Sequence, residues 1–100
     1  MSRRKGFLDL YFIIIIIMSP VAIDYYKKRF GENLSAAFIH LVREVGEIAL
    51  AMEKNNSNHI KLKITEAIAL LEYIASRYDL DVDANIQSLY SHKLSKLGST

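Results

Sequence analysis

The stretch Leu41-Val42-Arg43-Glu44-Val45-Gly46-Glu47-Ile48 decides how this chain reads. Within it and around it, apolar residues recur at steps of three and four: Leu34, Phe38, Leu41, Val42, Val45, Ile48, Ala49 and Met52. That spacing predicts an amphipathic helix. Glu44 and Glu47 stand three residues apart, so they share one face of it. Two carboxylates on one face suit a hard cation such as Mg²⁺, which takes oxygen ligands. The same pair is equally at home on an ordinary solvated face, and spacing alone does not separate the two.

Other elements follow on either side. Ser19-Pro20 is a good helix start, with serine as the cap and proline at the first helical position. That helix runs to about Phe30, and Gly31-Glu32-Asn33 breaks it. The central helix ends near Lys54. Asn55-Asn56-Ser57-Asn58 is a polar turn in which Ser57 or Asn58 can cap the next helix. A third helix spans about His59 to Tyr78, with Ile60, Ile64, Ala67, Ile68, Leu71, Ile74, Ala75 and Tyr78 on its apolar face. Asp79-Leu80-Asp81 is the next break, and Asp81 or Asp83 can cap a fourth helix containing Ile86, Leu89, Tyr90 and Leu94.

Nothing reads as a strand pair, because the isoleucine run has no alternation and no partner. The expected fold is all-α, with the second and third helices as an antiparallel hairpin. A lone hairpin cannot bury apolar residues on several sides. Two chains that complete a four-helix core about a two-fold axis would solve this.

One hundred residues allow one small domain, placed at 19–97, with an apolar segment at 1–18 and a tail at 98–100. A net charge of +2, with bases and acids mixed, gives no case for a nucleic-acid partner. The chain has no cysteine, which excludes disulfides, thiolate nucleophiles and cysteine zinc sites, and fits a cytoplasmic protein.

The start of the chain leaves three readings open. Arg3, Arg4 and Lys5 precede the run from Phe7 to Met18, a pattern similar to a signal peptide or anchor. A spanning helix needs about 20 apolar residues, however, and Asp9 and Ser19-Pro20 interrupt this one. The segment is a membrane-associating stretch over residues 7–23, a helical extension facing an oligomer, or a piece ahead of a true start at Met18.

The stretch Phe38 to Ala49 resembles the first helix of the MazG-like nucleotide pyrophosphohydrolases, whose signature is E-E-V-G-E. The turn at Asn55-Asn56 matches that family's short loop. Ile60 to Ile68 matches the position of its second acidic signature, E-E-L-x-D-V, and Leu80-Asp81-Val82 is similar to its G-I-D-L. The resemblance covers about Tyr25 to Tyr90. It implies Mg²⁺, or Mn²⁺, held by acids of ExxE and ExxD, and hydrolysis of a nucleoside triphosphate to monophosphate and pyrophosphate. The ions would bridge the anionic triphosphate to the carboxylates and stabilise charge in the transition state.

Carried over by position, Glu44 and Glu47 are the ExxE acids, implied as catalytic and metal-binding, and Glu66 is a third metal ligand with a longer arm than aspartate. Lys63 stands where the first acid of ExxD belongs, Arg43 replaces the acid before Glu44, and Leu62 replaces a further acid. The sign reversal at Lys63 implies weakened Mg²⁺ binding and an impaired enzyme. His40, Lys63 and Lys93 are the implied substrate contacts, and the implied assembly is a homodimer or a dimer of dimers. The alternative is a catalytically inactive helical oligomer that binds nucleotide or acts as a regulatory or membrane-associated scaffold.

Overall fold

The chain is described by a computed structural model over residues 19–98. Four helices fill it in the order α1 Pro20–Phe30, α2 Leu34–Glu53, α3 Ser57–Ser76 and α4 Val82–Gly98, with no strand among the described residues. The all-α expectation holds. The N-terminal segment 1–18, with the readings attached to it, lies outside the described residues. No helix among those described is long and apolar enough to cross a membrane.

Short polar turns set where each helix begins. The Asn33 side chain accepts a hydrogen bond from the Ala36 N–H and caps α2. Asn56 does the same for α3 through the His59 N–H, and Asp81 for α4 through the Ala84 N–H. Each cap satisfies an N–H that the helix itself cannot pair. The α3 cap is thus Asn56 rather than Ser57 or Asn58, and α3 starts and stops two residues before the expected bounds. Ser19 makes no side-chain cap; its carbonyl accepts from the Ala22 and Ile23 N–H groups instead. Gly31 ends α1 at φ 57°, a left-handed conformation that glycine adopts at little cost.

α2 and α3 pack on each other as an antiparallel hairpin, joined by the turn Lys54–Asn56. Antiparallel register is visible in cross-links along the pair. Glu47 meets Lys63 near the turn, and Glu32 meets Arg77 at the opposite end. α1 lies across the hairpin, mainly on α3. The core sits where the three meet: Tyr26 from α1, Ala37 and Leu41 from α2, and Ala67, Leu70 and Tyr73 from α3. The Tyr73 hydroxyl donates to the Gly31 carbonyl, which pins the α1–α2 corner to α3.

Half of the expected apolar faces is not buried. Phe38, Val42, Val45 and Met52 on α2 are each more than half exposed, as are Ile68 and Leu71 on α3 and Tyr78 just past its end. The periodicity marks two adjacent stripes on each helix. The stripe with Ala37, Leu41 and Ala51 meets the rest of the chain, and the other is uncovered within one chain. α4 contributes no buried residue and makes only marginal contact with the other described helices.

The two stripes differ in what they do for a single chain, and this is measurable. Leu70→Ala, at a fully buried position, is expected to cost about 2–5 kcal/mol in denaturant unfolding. Val42→Ala, at a position 55% exposed, is expected to leave a dilute chain within about 0.5 kcal/mol of wild type.

Candidate functional site

The hairpin brings the acidic residues of both helices to one point. On α2, His40, Glu44 and Glu47 lie along one side at helical spacings of four and three. On α3, Lys63 and Glu66 face them across the hairpin. The Lys63 Nζ is 2.6 Å from Glu47 Oε2, 3.3 Å from Glu66 Oε1 and 3.5 Å from Glu44 Oε2. Those three oxygens are closed off from solvent, and the ammonium is what they face. An ammonium has three N–H donors, and here three carboxylates surround it.

Glu44 is the most enclosed of the group, only 4% exposed. A buried carboxylate is costly unless paired. It has two partners: Lys63 at Oε2 and the His40 Nε2, 3.3 Å from Oε1. His40 is itself held by α1, with its ring 5.8 Å from the Phe30 ring. Tyr26 closes the same side. Its phenol pKa is raised, first by burial and then by the negative charges of Glu66 and Glu44.

The charges have reshaped one another. The Glu47 carboxyl is held below the usual carboxylate range, chiefly by the hydrogen bond from Lys63 and against the opposing effect of desolvation. Arg43 and His59 add smaller lowering effects. The Lys63 ammonium is stabilised in turn, its pKa raised first by Glu47, with help from Glu66 and Glu44.

Of the residues expected at the site, the fold assembles Glu44, Glu47, Glu66, His40 and Lys63. It does not bring Lys93 to them. Lys93 is on α4, with its ammonium 4.9 Å from the centre of the Tyr90 ring. Tyr26 and Phe30, both on α1, are not among the residues expected at the site. Their aromatic character reads as packing, which is also true of them, and nothing local signals that α1 returns to the acids.

The arrangement also bears on the metal that the MazG-like resemblance implies. Three carboxylates from two helices are a suitable oxygen donor set for a divalent ion. As folded, they converge on an ammonium that fills the space between them. The site therefore does not fit Mg²⁺ unless the Lys63 side chain moves. Compared with family models, with curated proteins and with solved structures, the chain matches none. The resemblance rests on the residues quoted above.

The ion cluster predicts a particular pH dependence. Because the Glu47 pKa is lowered in the fold, its stabilisation is complete above the ordinary value of 4.5 and is lost as pH falls through the depressed value. Because the Lys63 pKa is raised, its stabilisation is complete below 10.5 and is lost as pH rises beyond it. In Lys63→Met both effects should shrink. Thermal unfolding from about pH 3 to 7 should show a steep acid limb in wild type, and a shallower one from a lower plateau in the variant.

Proposed function

We propose that this chain is a MazG-like helical module, acting as a homo-oligomer, in which a lysine has taken the place of the metal among the acids. Its function is then that of a non-hydrolytic relative: a regulatory or scaffolding oligomer on the frame of a nucleotide pyrophosphohydrolase. The observation that carries this is the position of Lys63, within 2.6–3.5 Å of the carboxylates of Glu44, Glu47 and Glu66. A cation tethered to the backbone is always at its full local concentration. A free divalent ion must displace it and then share the site with a positive charge.

A second reading has an observation of its own. Glu44, Glu47 and Glu66 are separated in sequence, yet they meet at one point with His40 beside them. That supports an impaired but real nucleoside triphosphate pyrophosphohydrolase, with these acids as its Mg²⁺ or Mn²⁺ ligands. One experiment separates the two. The full chain and Lys63→Glu are titrated with Mg²⁺ and Mn²⁺ against a panel of nucleoside triphosphates, following pyrophosphate release. The expected result is no release from wild type at any metal concentration. Release from wild type that is abolished by Glu47→Ala would establish the second reading in place of the first. Activity that arises only in Lys63→Glu would identify a silenced site on an intact scaffold.

The oligomer is supported by the uncovered stripes. Phe38, Val42, Val45, Ala49 and Met52 on α2 are spaced four, three, four, three, and the exposed Ile64, Ile68 and Leu71 on α3 are spaced four and three, with Tyr78 exposed just past its end. This is the spacing of a helix-bundle seam. By helical phase the α2 seam points away from His40 and Glu47. Two hairpins meeting along these seams form a four-helix core and leave both acid clusters outside it. In light scattering, the full chain is expected at twice the monomer mass or a multiple of it. Val42→Glu combined with Val45→Glu should reduce that mass.

A further inference from the structure

α4 poses a separate problem. It is a 17-residue helix with no buried side chain, and it makes only marginal contact with the other described helices. A helix of that length is barely stable alone in water, and most helices in proteins persist because an apolar face is covered. α4 has such a face. Ile86, Leu89, Tyr90 and Leu94 fall within one sector at helical spacing, and each is more than half exposed. The opposite side carries Ser88, Ser91, His92 and Ser95.

Charge is distributed along the helix in a way that suggests its partner. Asp79, Asp81 and Asp83 gather at its N-terminal end, where Asp83 already raises the Glu72 pKa beyond the effect of burial. His92, Lys93 and Lys96 gather towards its C-terminal end. Acid at one end and base at the other complement a second helix of the same sequence laid antiparallel. Centred on Tyr90, that pairing sets Ile86 against Leu94 of the other copy in both directions, so the stripe is self-complementary. A contact of this kind is isologous and closes on itself.

We propose that α4 is an arm that pairs antiparallel, through its apolar stripe, with α4 of a second copy of this chain. This goes beyond the hairpin seam and rests on the oligomer part of the proposed function, not on the chemistry at Lys63. The arm alone buries less than the roughly 800 Å² per partner of a standard interface, so it acts together with the seam.

The chain has no cysteine, which makes single-cysteine cross-linking clean. In the full chain, Tyr90→Cys lies at the centre of the antiparallel pair, where two Cα atoms come within disulfide reach, while Asp83→Cys lies at its end, on the order of 20 Å from its counterpart. Under mild oxidation Tyr90→Cys is expected to form a disulfide-linked dimer at least tenfold faster than Asp83→Cys. Equal rates at both positions would mean parallel or merely collisional contact and would overturn the arm pairing, as would no cross-link at Tyr90→Cys. As a second measurement, Ile86→Glu with Leu94→Glu should lower helical circular dichroism by the α4 share; unchanged helicity would also overturn it. Failure of the hairpin dimer reads differently: there Val42→Glu with Val45→Glu leaves the mass unaltered.

Discussion

The ammonium of Lys63 stands between the two long helices and is answered by carboxylates from both. Glu44 and Glu47 reach it from α2 and Glu66 from its own helix, so one positive charge resolves what would otherwise be mutual repulsion of three acids. Glu44 could not be so enclosed without it. The antiparallel register, the approach of α1 through Phe30 to His40, and the raised phenol of Tyr26 are all arranged around this cluster. A metal ion in the same place would satisfy the same three acids. Lys63 thus supplies, from within the chain, the cation that this geometry needs.

Much of this was legible in the sequence. The steps of three and four through Leu34 to Met52 gave α2 within a residue of its end, and the Ser19-Pro20 and Gly31-Glu32-Asn33 signals bounded α1 correctly. The convergence of Glu44, Glu47, Lys63 and Glu66 followed from a short loop joining two amphipathic helices. Other features were not legible, for physical reasons. Asn56 caps α3 instead of the two residues after it because the chain turns one step earlier, and polar turns such as Asn55-Asn56-Ser57-Asn58 offer several equivalent acceptors. The part of α1 that reaches the site was hidden because a long-range contact leaves no local pattern. Periodicity also marks every apolar position alike: it shows that Val42 and Leu41 are both hydrophobic, but not which faces its own chain and which remains uncovered.

That last distinction gives the hairpin two different sides. One side carries α1, the core aromatics and the ion cluster, and is complete in a single chain. The other carries apolar residues that remain exposed in a single chain. The ion cluster and the exposed stripe are therefore separable, and substitutions on one side act on the other only through the stability of the two helices that they share. α4, beyond the corner at Asp79 to Asp81, belongs to neither side.

The corner at Gly31 and Glu32 has a consequence for how the molecule assembles in time. Most contacts in this fold join residues close in sequence, within helices or across a three-residue loop, and such contacts form early because little chain must be ordered to make them. The hydrogen bond from Tyr73 to Gly31 spans 42 residues, and the ion pair of Arg77 with Glu32 spans 45. With the ring contact of Tyr26 and Tyr73, which spans more residues still, these close long loops at a high entropic cost. The α2–α3 hairpin is thus the natural folding nucleus. By the same reasoning, docking of α1 is expected to follow it.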